Sequence, residues 1–443
     1  MWFAENDCGW INGEKSSSFD LHQCANGAYT MDVNFVSVPT TITRSRKIEF
    51  GLLANPLKPV KVGAETCFAW QTTFGDPAFN VAATLPDPYI TERMVGKSSE
   101  DSLLVYLAGQ EYIKGDPEVR YIYDELATWP RGYYTLEQPQ RKYLCRGQEA
   151  DAYLSLNYDW TPEATDFFTW RVVEMMRTSR FDGFYLDNTF PTFVYDPFKS
   201  WTPGYVRDDG QVQPGCAILP VRDFFKRVAV VAQSLGKALP RIVVHNTASQ
   251  FLPRFTFADA AFGGEMNIPK EGEGDHFDVF SSARVETMLG VDWGFPRGML
   301  SMLGYDGNNR QRTRALYACY GIYDFKIWNS GMDEELRKKM RAIQEEFGIN
   351  ASDSTFEMWR DQKFVRLLDP KGDIRVSFYS RPRRKLIMIA NHGREARHVE
   401  FKLDAEGKLT DAESAGLVSP SADGKYAIDI GGHDFRCLLF EMK

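Results

Sequence analysis

Between residues 64 and 350, short uninterrupted apolar runs alternate with helix-like stretches, and this alternation constrains the fold more than any other feature. TCFAWQT (66–72) and SLLVYLAGQ (102–110) read as the first two strands. DAYLSLN (151–157), GFYLDN (183–188), RIVVHNT (241–247), ADAAFGGE (258–265) and YGIYDFKIW (320–328) continue the series. One helix opens at Thr161-Pro162, a cap residue followed by proline in the first turn, and carries Phe168, Val172 and Met175 or Met176 along one face. Others cover PVRDFFKRVAVVAQSLGKAL (220–239), an arginine-rich stretch around 309–319, and 332–346. Strands without polar alternation are buried on both faces, which predicts a parallel sheet under helices. The region spans about 285 residues, near the ~250 typical of a (β/α)8 barrel. A doubly wound open sheet is the alternative. No glycine-rich phosphate loop follows the early strands, which argues against its nucleotide-binding form.

The flanks are β. Residues 1–58 hold two strand-like runs, GAYTMDVNFVSVP and RKIEFGLLANP, and lead into the proline-rich NPLKPVKVG. So few strands make a poor independent core. The segment is expected to be the remnant of an N-terminal β-sandwich and its linker, with the first half upstream. Residues 351–443 alternate well and predict a C-terminal antiparallel β-sandwich of five to seven strands. The expected whole is an α/β chain: a (β/α)8 TIM-type barrel over 59–350 between a partial sandwich and a complete one.

Composition narrows the partners. The net charge is −8 and no long basic run exists, so nucleic acid is excluded as a partner; SRPRRK (380–385) reads as a solvated hairpin. No apolar run approaches the ~18 residues of a membrane span. The seven cysteines are scattered without metal spacing and read as buried thiols, with a Cys8–Cys24 disulfide left open. Met1 leads at once into WFAENDCGW, unlike a signal peptide. The 14% aromatic content serves either large cores or platforms on which sugar rings stack.

In a barrel, chemistry sits at the C-terminal ends of the strands. Four runs end in polar groups there: Asp187-Asn188, His245-Asn246, Glu265 and Asp324. Each has a plainer use, as a turn cap, a packed histidine, a loop salt bridge or a partner for Lys326. Together, a pair of rim carboxylates is the apparatus of glycoside hydrolysis. One must stay ionised beside the developing cation, and the other must hold a proton for the leaving oxygen. Asp187 suits the first role, and Glu265, behind Gly263-Gly264, the second. Asn188, His245, Asn246 and Asp324 are expected to bind substrate, with Trp70, Trp160 and Trp293 as stacking rings. Asp124-Glu125 is a second candidate pair. KEGEGDHFD (270–278) is long and polar enough for a lid, but lacks the order of an EF-hand, so no metal and no cofactor is expected.

IEFGLLANPLKPV (48–60), GFYLDNTFP (183–191) and the trailing sandwich resemble bacterial proteins related to glycoside hydrolase family 123. The resemblance implies a β-sandwich ahead of a (β/α)8 barrel, export to the periplasm or beyond, and hydrolysis of N-acetylgalactosaminides. It also implies an adjacent Asp-Glu pair, in which Asp orients the substrate's acetamido group and Glu protonates the leaving group. Asp187 matches the Asp, but Asn188 stands where Glu belongs, and an amide is no general acid. Either Asp124-Glu125 is the equivalent pair or Glu265 supplies the proton. A non-catalytic glycan-binding barrel and a metal-dependent polysaccharide lyase are the other readings.

Overall fold

The computed structural model describes residues 1–43, 45–58, 69–70, 79–82, 102–108, 111–113, 118, 141–145, 148–154, 162–178, 182–187, 189, 193–194, 204–237, 241–245, 251–263, 274–280, 293–295, 297–300, 310–324, 326–328, 332–370 and 372–443. Eight strands form one sheet: β1 (Ala69–Trp70), β2 (Phe79–Ala82), β3 (Ser102–Ala108), β4 (Gly183–Asp187), β5 (Arg241–His245), β6 (Ala260–Gly263), β7 (Arg297–Leu300) and β8 (Lys326–Trp328). They pair in strict chain order, and every pairing is parallel. Parallel neighbours need long crossovers. Helix α1 (Pro162–Thr178) lies between β3 and β4, α2 (Ile218–Ser234) between β4 and β5, and α3 (Arg310–Tyr320) between β7 and β8. Helix α4 (Glu334–Phe347) follows β8.

Strand alternation sorts the side chains to two faces. Phe184 and Leu186 of β4, Ile242 and Val244 of β5 and Ala261 of β6 pack against α1 and α2, in a core that includes Phe168, Val172, Met175, Phe224, Phe225 and Val228. The Phe184 ring lies 5.6 Å from that of Phe224 and 5.9 Å from that of Phe225. Tyr185, Val243 and Phe262 alternate with these residues and are equally buried on the face away from α1 and α2. Continuous apolarity along β4 to β6 is thereby explained: both faces are covered.

Gly183 opens β4 because nothing larger fits. A Cβ there would stand 1.9 Å from the carbonyl oxygen of Arg241, its neighbour on β5. Backbone, unlike a side-chain tip, cannot turn aside. Gly183→Ala is expected to destabilise the protein by about 3 kcal/mol, as forced overpacking does. A urea midpoint matching the parent's would refute this.

The N-terminal end of the sheet is sewn to the first segment of the chain. Leu53 and Leu57 pack on the α1/α2 core. The Leu57 amide donates to the Trp293 carbonyl (2.9 Å), and the Lys58 ammonium donates to the Ala258 carbonyl (2.5 Å). The strands before this point are short: Trp2–Phe3 pairs with Gly51–Leu52, and Phe19–Gln23 forms a hairpin with Tyr29–Val33. Trp2, Trp10, Phe19, Phe35 and Phe50 gather around one another, with the rings of Trp2 and Phe19 5.1 Å apart. No disulfide joins Cys8 and Cys24. Cys319 and Cys437 are buried thiols whose pKa burial pushes well above the ordinary value.

The C-terminal segment is a β-sandwich of eight antiparallel strands. A five-stranded sheet (355–357, 374–381, 384–391, 434–442, 407–411) faces a three-stranded one (365–367, 397–403, 426–430). Val376, Phe378, Ile387, Ile389, Leu438 and Phe440 meet Val365, Val399, Phe401, Tyr426 and Ile430 between the sheets. SRPRRK is the expected hairpin, turning at Pro382-Arg383. Lys385 is not solvated, however, and its ammonium sits 4.5 Å from the centre of the Phe378 ring. The outer face of the larger sheet, with Leu386, Ala390, Phe435 and Cys437, packs against α3 and α4.

Two strand assignments change, and two strands are additional. DAYLSLN (151–157) was expected in the parallel sheet, but its first four residues end the strand Gln148–Leu154, which belongs to a separate antiparallel sheet with Glu111–Ile113 and Arg141–Cys145. β2 and β7 were not anticipated, being four-residue strands. YGIYDFKIW divides: helix α3 runs to Tyr320, a 3-10 turn covers Gly321–Tyr323, and only Lys326–Trp328 is strand.

Candidate active site

Asp187 is the last residue of β4 and His245 the last of β5; the ladder between the strands runs to Leu186 opposite Val244. Both side chains therefore follow Tyr185 and Val243 onto the face away from α1 and α2. They meet there: His245 Nδ1 and Asp187 Oδ1 are 2.6 Å apart. A carboxylate can only accept, so Nδ1 carries the hydrogen. The Tyr185 ring stacks on the imidazole with centroids 6.3 Å apart. The Asp187 side chain is 13% exposed and that of His245 3%. Asp187 is thus the more exposed member of the pair, and His245 the more deeply buried one.

The strand ends are bracketed from behind. Thr189, two residues past Asp187, donates its amide to the His245 carbonyl (3.1 Å), and its hydroxyl donates to the same oxygen. The Thr189 carbonyl accepts from Nη1 of Arg254 (2.8 Å), which lies on the 3-10 helix Leu252–Phe255 after β5. Arg254 is only 1% exposed. Burial lowers its pKa to about 10, opposed by the charge of Glu5, so it remains a cation at neutral pH. Glu5 in turn caps α2. The residue before that helix, Ala217, has no side-chain acceptor, and the Glu5 carboxylate takes the amides of Ile218 (3.0 Å) and Leu219.

Burial pushes the Glu5 carboxyl up to about 7, against the two amides and Arg254, which lower it. The folded state thus holds this proton more tightly than the unfolded chain, whose carboxyl titrates near 4.5. The resulting stability is fully present below the unfolded value and is lost as pH rises through about 7. Glu5→Gln keeps an acceptor for the helix and cannot titrate. Urea unfolding should show the parent losing more stability than this variant between about pH 5 and about pH 7.5. Equal losses would show that Glu5 does not titrate as described.

Two of the expected substrate contacts lie elsewhere. Trp293 precedes β7, at the N-terminal end of the sheet, and is 3% exposed; it packs between Phe255 (6.3 Å) and Phe295 (5.8 Å). It is core, held by the amide of Leu57. Asp324 precedes β8 instead of ending it, with φ 56, and accepts from the Tyr379 hydroxyl of the C-terminal sandwich. The causes differ: the strand expected to end at Asp324 starts only at Lys326, and the strand Arg297–Leu300 that follows Trp293 was not anticipated. Trp70 does end β1. Asn188, Asn246, Glu265, Trp160 and Asp124-Glu125 lie outside the described residues.

The segment expected to be a lid is fastened where it is described. Asp275 and Asp278 form a capping box around the short helix His276–Val279. Asp275 also pairs with His433 (2.7 Å), and Asp278 pairs with Arg394. Phe277 sits 4.7 Å from the rings of both His392 and His433. Ligand atoms of Asp275, Asp278 and His433 come within 4.8 Å of one another, but each is engaged in these contacts. Burial lowers the pKa of His276 and of His392 to about 3, so both are neutral spacers at this junction.

Sequence reasoning missed Thr189, Arg254 and Glu5. Arg254 carries the one available signal, a cation inside the apolar run Phe251-Leu252-Pro253-Arg254-Phe255. A charge in such a run is buried and needs a partner. Among the described residues, no helix is long and apolar enough to cross a membrane.

No protein-family model matches the chain, and neither does any curated protein. Solved structures similar to it include a maltogenic alpha-amylase, AmyB, from Thermotoga neapolitana (11% identity, 87% of this chain and 90% of that chain, TM-score 0.47). Another is an alpha-amylase from Anoxybacillus (13%, 84% and 86%, TM-score 0.48). A third is a GH27 β-L-arabinopyranosidase from Geobacillus stearothermophilus (10%, 77% and 75%, TM-score 0.44). These neighbours are glycoside hydrolases, and at such scores the likeness assigns no activity to this chain.

Proposed function

We propose that the chain is a glycoside hydrolase acting on a poly- or oligosaccharide, with Asp187 as the ionised nucleophile or stabiliser and Glu265 as the acid. The observation that carries this reading is the placement of Asp187. It is the more open member of a hydrogen-bonded pair at the C-terminal end of the fourth of eight parallel strands. The sheet is read as closing into a (β/α)8 barrel. Parallel strands in strict chain order send each crossover the same way, so the helices gather on one face. Tyr185, Val243 and Phe262 on the other face are nonetheless buried, and opposing strands are what would cover them.

Glu265 follows Gly263, the end of β6, by two residues, and β5 alone separates β6 from β4. Two strand spacings are about 9.6 Å at the backbone. Glycosidase carboxylates work ~5–9.5 Å apart, and a pair two strands apart in a barrel could meet that requirement. Asn188, Asn246, His245, Trp70 and Trp160 would then border the sugar. A lyase using the acidic segment is disfavoured, because Asp275 and Asp278 are committed to capping and ion pairs. The test is a screen of aryl glycosides and polysaccharides with the parent, Asp187→Asn and Glu265→Gln. The parent should hydrolyse at least one substrate class. No turnover anywhere, with glycan affinity equal in all three proteins, would make this a binding protein instead.

A further inference from the structure

We propose that Arg254 is a positioning residue for the site: through Thr189 it holds the Asp187–His245 pair in one geometry. The outer edges of both strands stay paired to their ends, Asp187 with Ala108 of β3 and His245 with Phe262 of β6, but the ladder between β4 and β5 stops at Leu186 and Val244, one residue short of the two functional side chains. Beyond the ladder lies a closed ring of contacts. The Asp187 carboxylate binds the His245 imidazole, the His245 carbonyl accepts twice from Thr189, and the chain from Thr189 back to Asp187 completes the loop. Arg254 reaches that ring from outside, with Nη1 on the Thr189 carbonyl. Leu252 and Phe255 anchor the 3-10 helix that presents it in the α1/α2 core.

A guanidinium is a costly choice for so buried a position. An aliphatic side chain would pack beside Leu252 and Phe255 without that desolvation, but it offers no donor for a carbonyl. The charge has a counterpart in Glu5, whose carboxylate also caps α2. The first segment of the chain therefore supports the cation that fixes the rim. Arg254 itself touches no reacting atom in this arrangement. It acts on Asp187 only through Thr189 and His245, and its effect is on the orientation of the carboxylate.

The proposal rests on the reading of Asp187 as the charged group of a hydrolase, and its test separates the two. The Nδ1 proton of His245, in a 2.6 Å hydrogen bond, should resonate downfield of the amide envelope, and its exchange with solvent needs no substrate to measure. Arg254→Lys keeps the charge but not the planar fork. It should speed that exchange at least about tenfold and lower kcat by about tenfold or more with KM within about twofold, the signature of a misplaced group in a formed site. Exchange matching the parent's in the folded variant would overturn the proposal. Should Arg254→Lys fail to fold, Thr189→Val reads the same bracket: it removes the hydroxyl donor and keeps the amide. Faster exchange there supports the bracket, and unchanged exchange overturns it. If the parent turns over no glycoside while exchange still responds to Arg254, the hydrolase reading falls and the positioning role stands.

Discussion

Asp187→Asn is expected to lower kcat on the order of 10⁴-fold, the scale on which removal of a central charged group is felt, while leaving the fold intact. The amide is nearly the same shape as the carboxylate, and its oxygen still accepts from His245 Nδ1, so the bracket at the ends of β4 and β5 keeps its members. Only the negative charge facing the reacting centre is lost. Glu265→Gln should behave differently, and the difference assigns the roles. A general acid is worth about 10²–10⁴-fold when the leaving oxygen is basic. It is worth little when the leaving group is an acidic phenol that departs as the anion. Glu265→Gln should therefore fail on alkyl glycosides and retain much of the first step on nitrophenyl glycosides. A variant of Asp187 that keeps more than a tenth of parental kcat would remove this residue from the chemistry. A Glu265 variant equally impaired on both leaving groups would remove the acid assignment.

The largest expected loss of stability lies far from that chemistry. Arg314, on α3, donates Nε to Asp434 (2.5 Å), Nη1 and Nη2 to Glu413 (2.8 and 3.1 Å), and Nη2 also to the Phe435 carbonyl (2.7 Å). Its guanidinium lies 4.5 Å from the centre of the Phe435 ring. The three charged side chains are only 11–15% exposed. Burial works against the cation, yet the hydrogen bonds and charges of Glu413 and Asp434 outweigh it and hold the Arg314 pKa above the ordinary value. Arg314→Met would leave two carboxylates facing each other without a cation. Breaking a buried ionic network in this way costs about 3–5 kcal/mol. The triple variant Arg314→Met, Glu413→Gln, Asp434→Asn should recover most of that, since it removes the stranded charges as well. Chemical unfolding of the two variants decides the matter: a single variant within about 1 kcal/mol of the parent would show that the cluster is loosely solvated.

Legible and hidden features of the sequence divide along one physical line. FYLD and IVVH were legible because a strand buried on both faces has no polar alternation, and the abrupt polar ending marks where the chain leaves the core. The C-terminal sandwich was legible for the opposite reason, since IRVSFYSR and RHVEFKL alternate. Asp324 went astray because a buried helix, a 3-10 turn and a short parallel strand are all simply apolar. YACYGIYDFKIW contains all three, and nothing in its periodicity marks the joints. The Thr189–Arg254 bracket was invisible for another reason. It joins residues 65 positions apart through a backbone carbonyl, which no side-chain pattern encodes.

The cap that Glu5 provides for α2 carries a consequence for how the chain comes off the ribosome. Its partners Ile218 and Leu219 lie 213 and 214 residues further along, and Ala258, which receives Lys58, lies 200 residues beyond that lysine. At synthesis rates of about 5–20 residues per second, Glu5 waits roughly 10–40 s for the helix it caps. During that interval Trp2, Trp10, Phe19, Phe35 and Phe50 have one another but not the sheet they will be anchored to. This segment is thus seated long after it is made, and the nascent chain must keep that aromatic cluster from other chains until β5 and β6 exist.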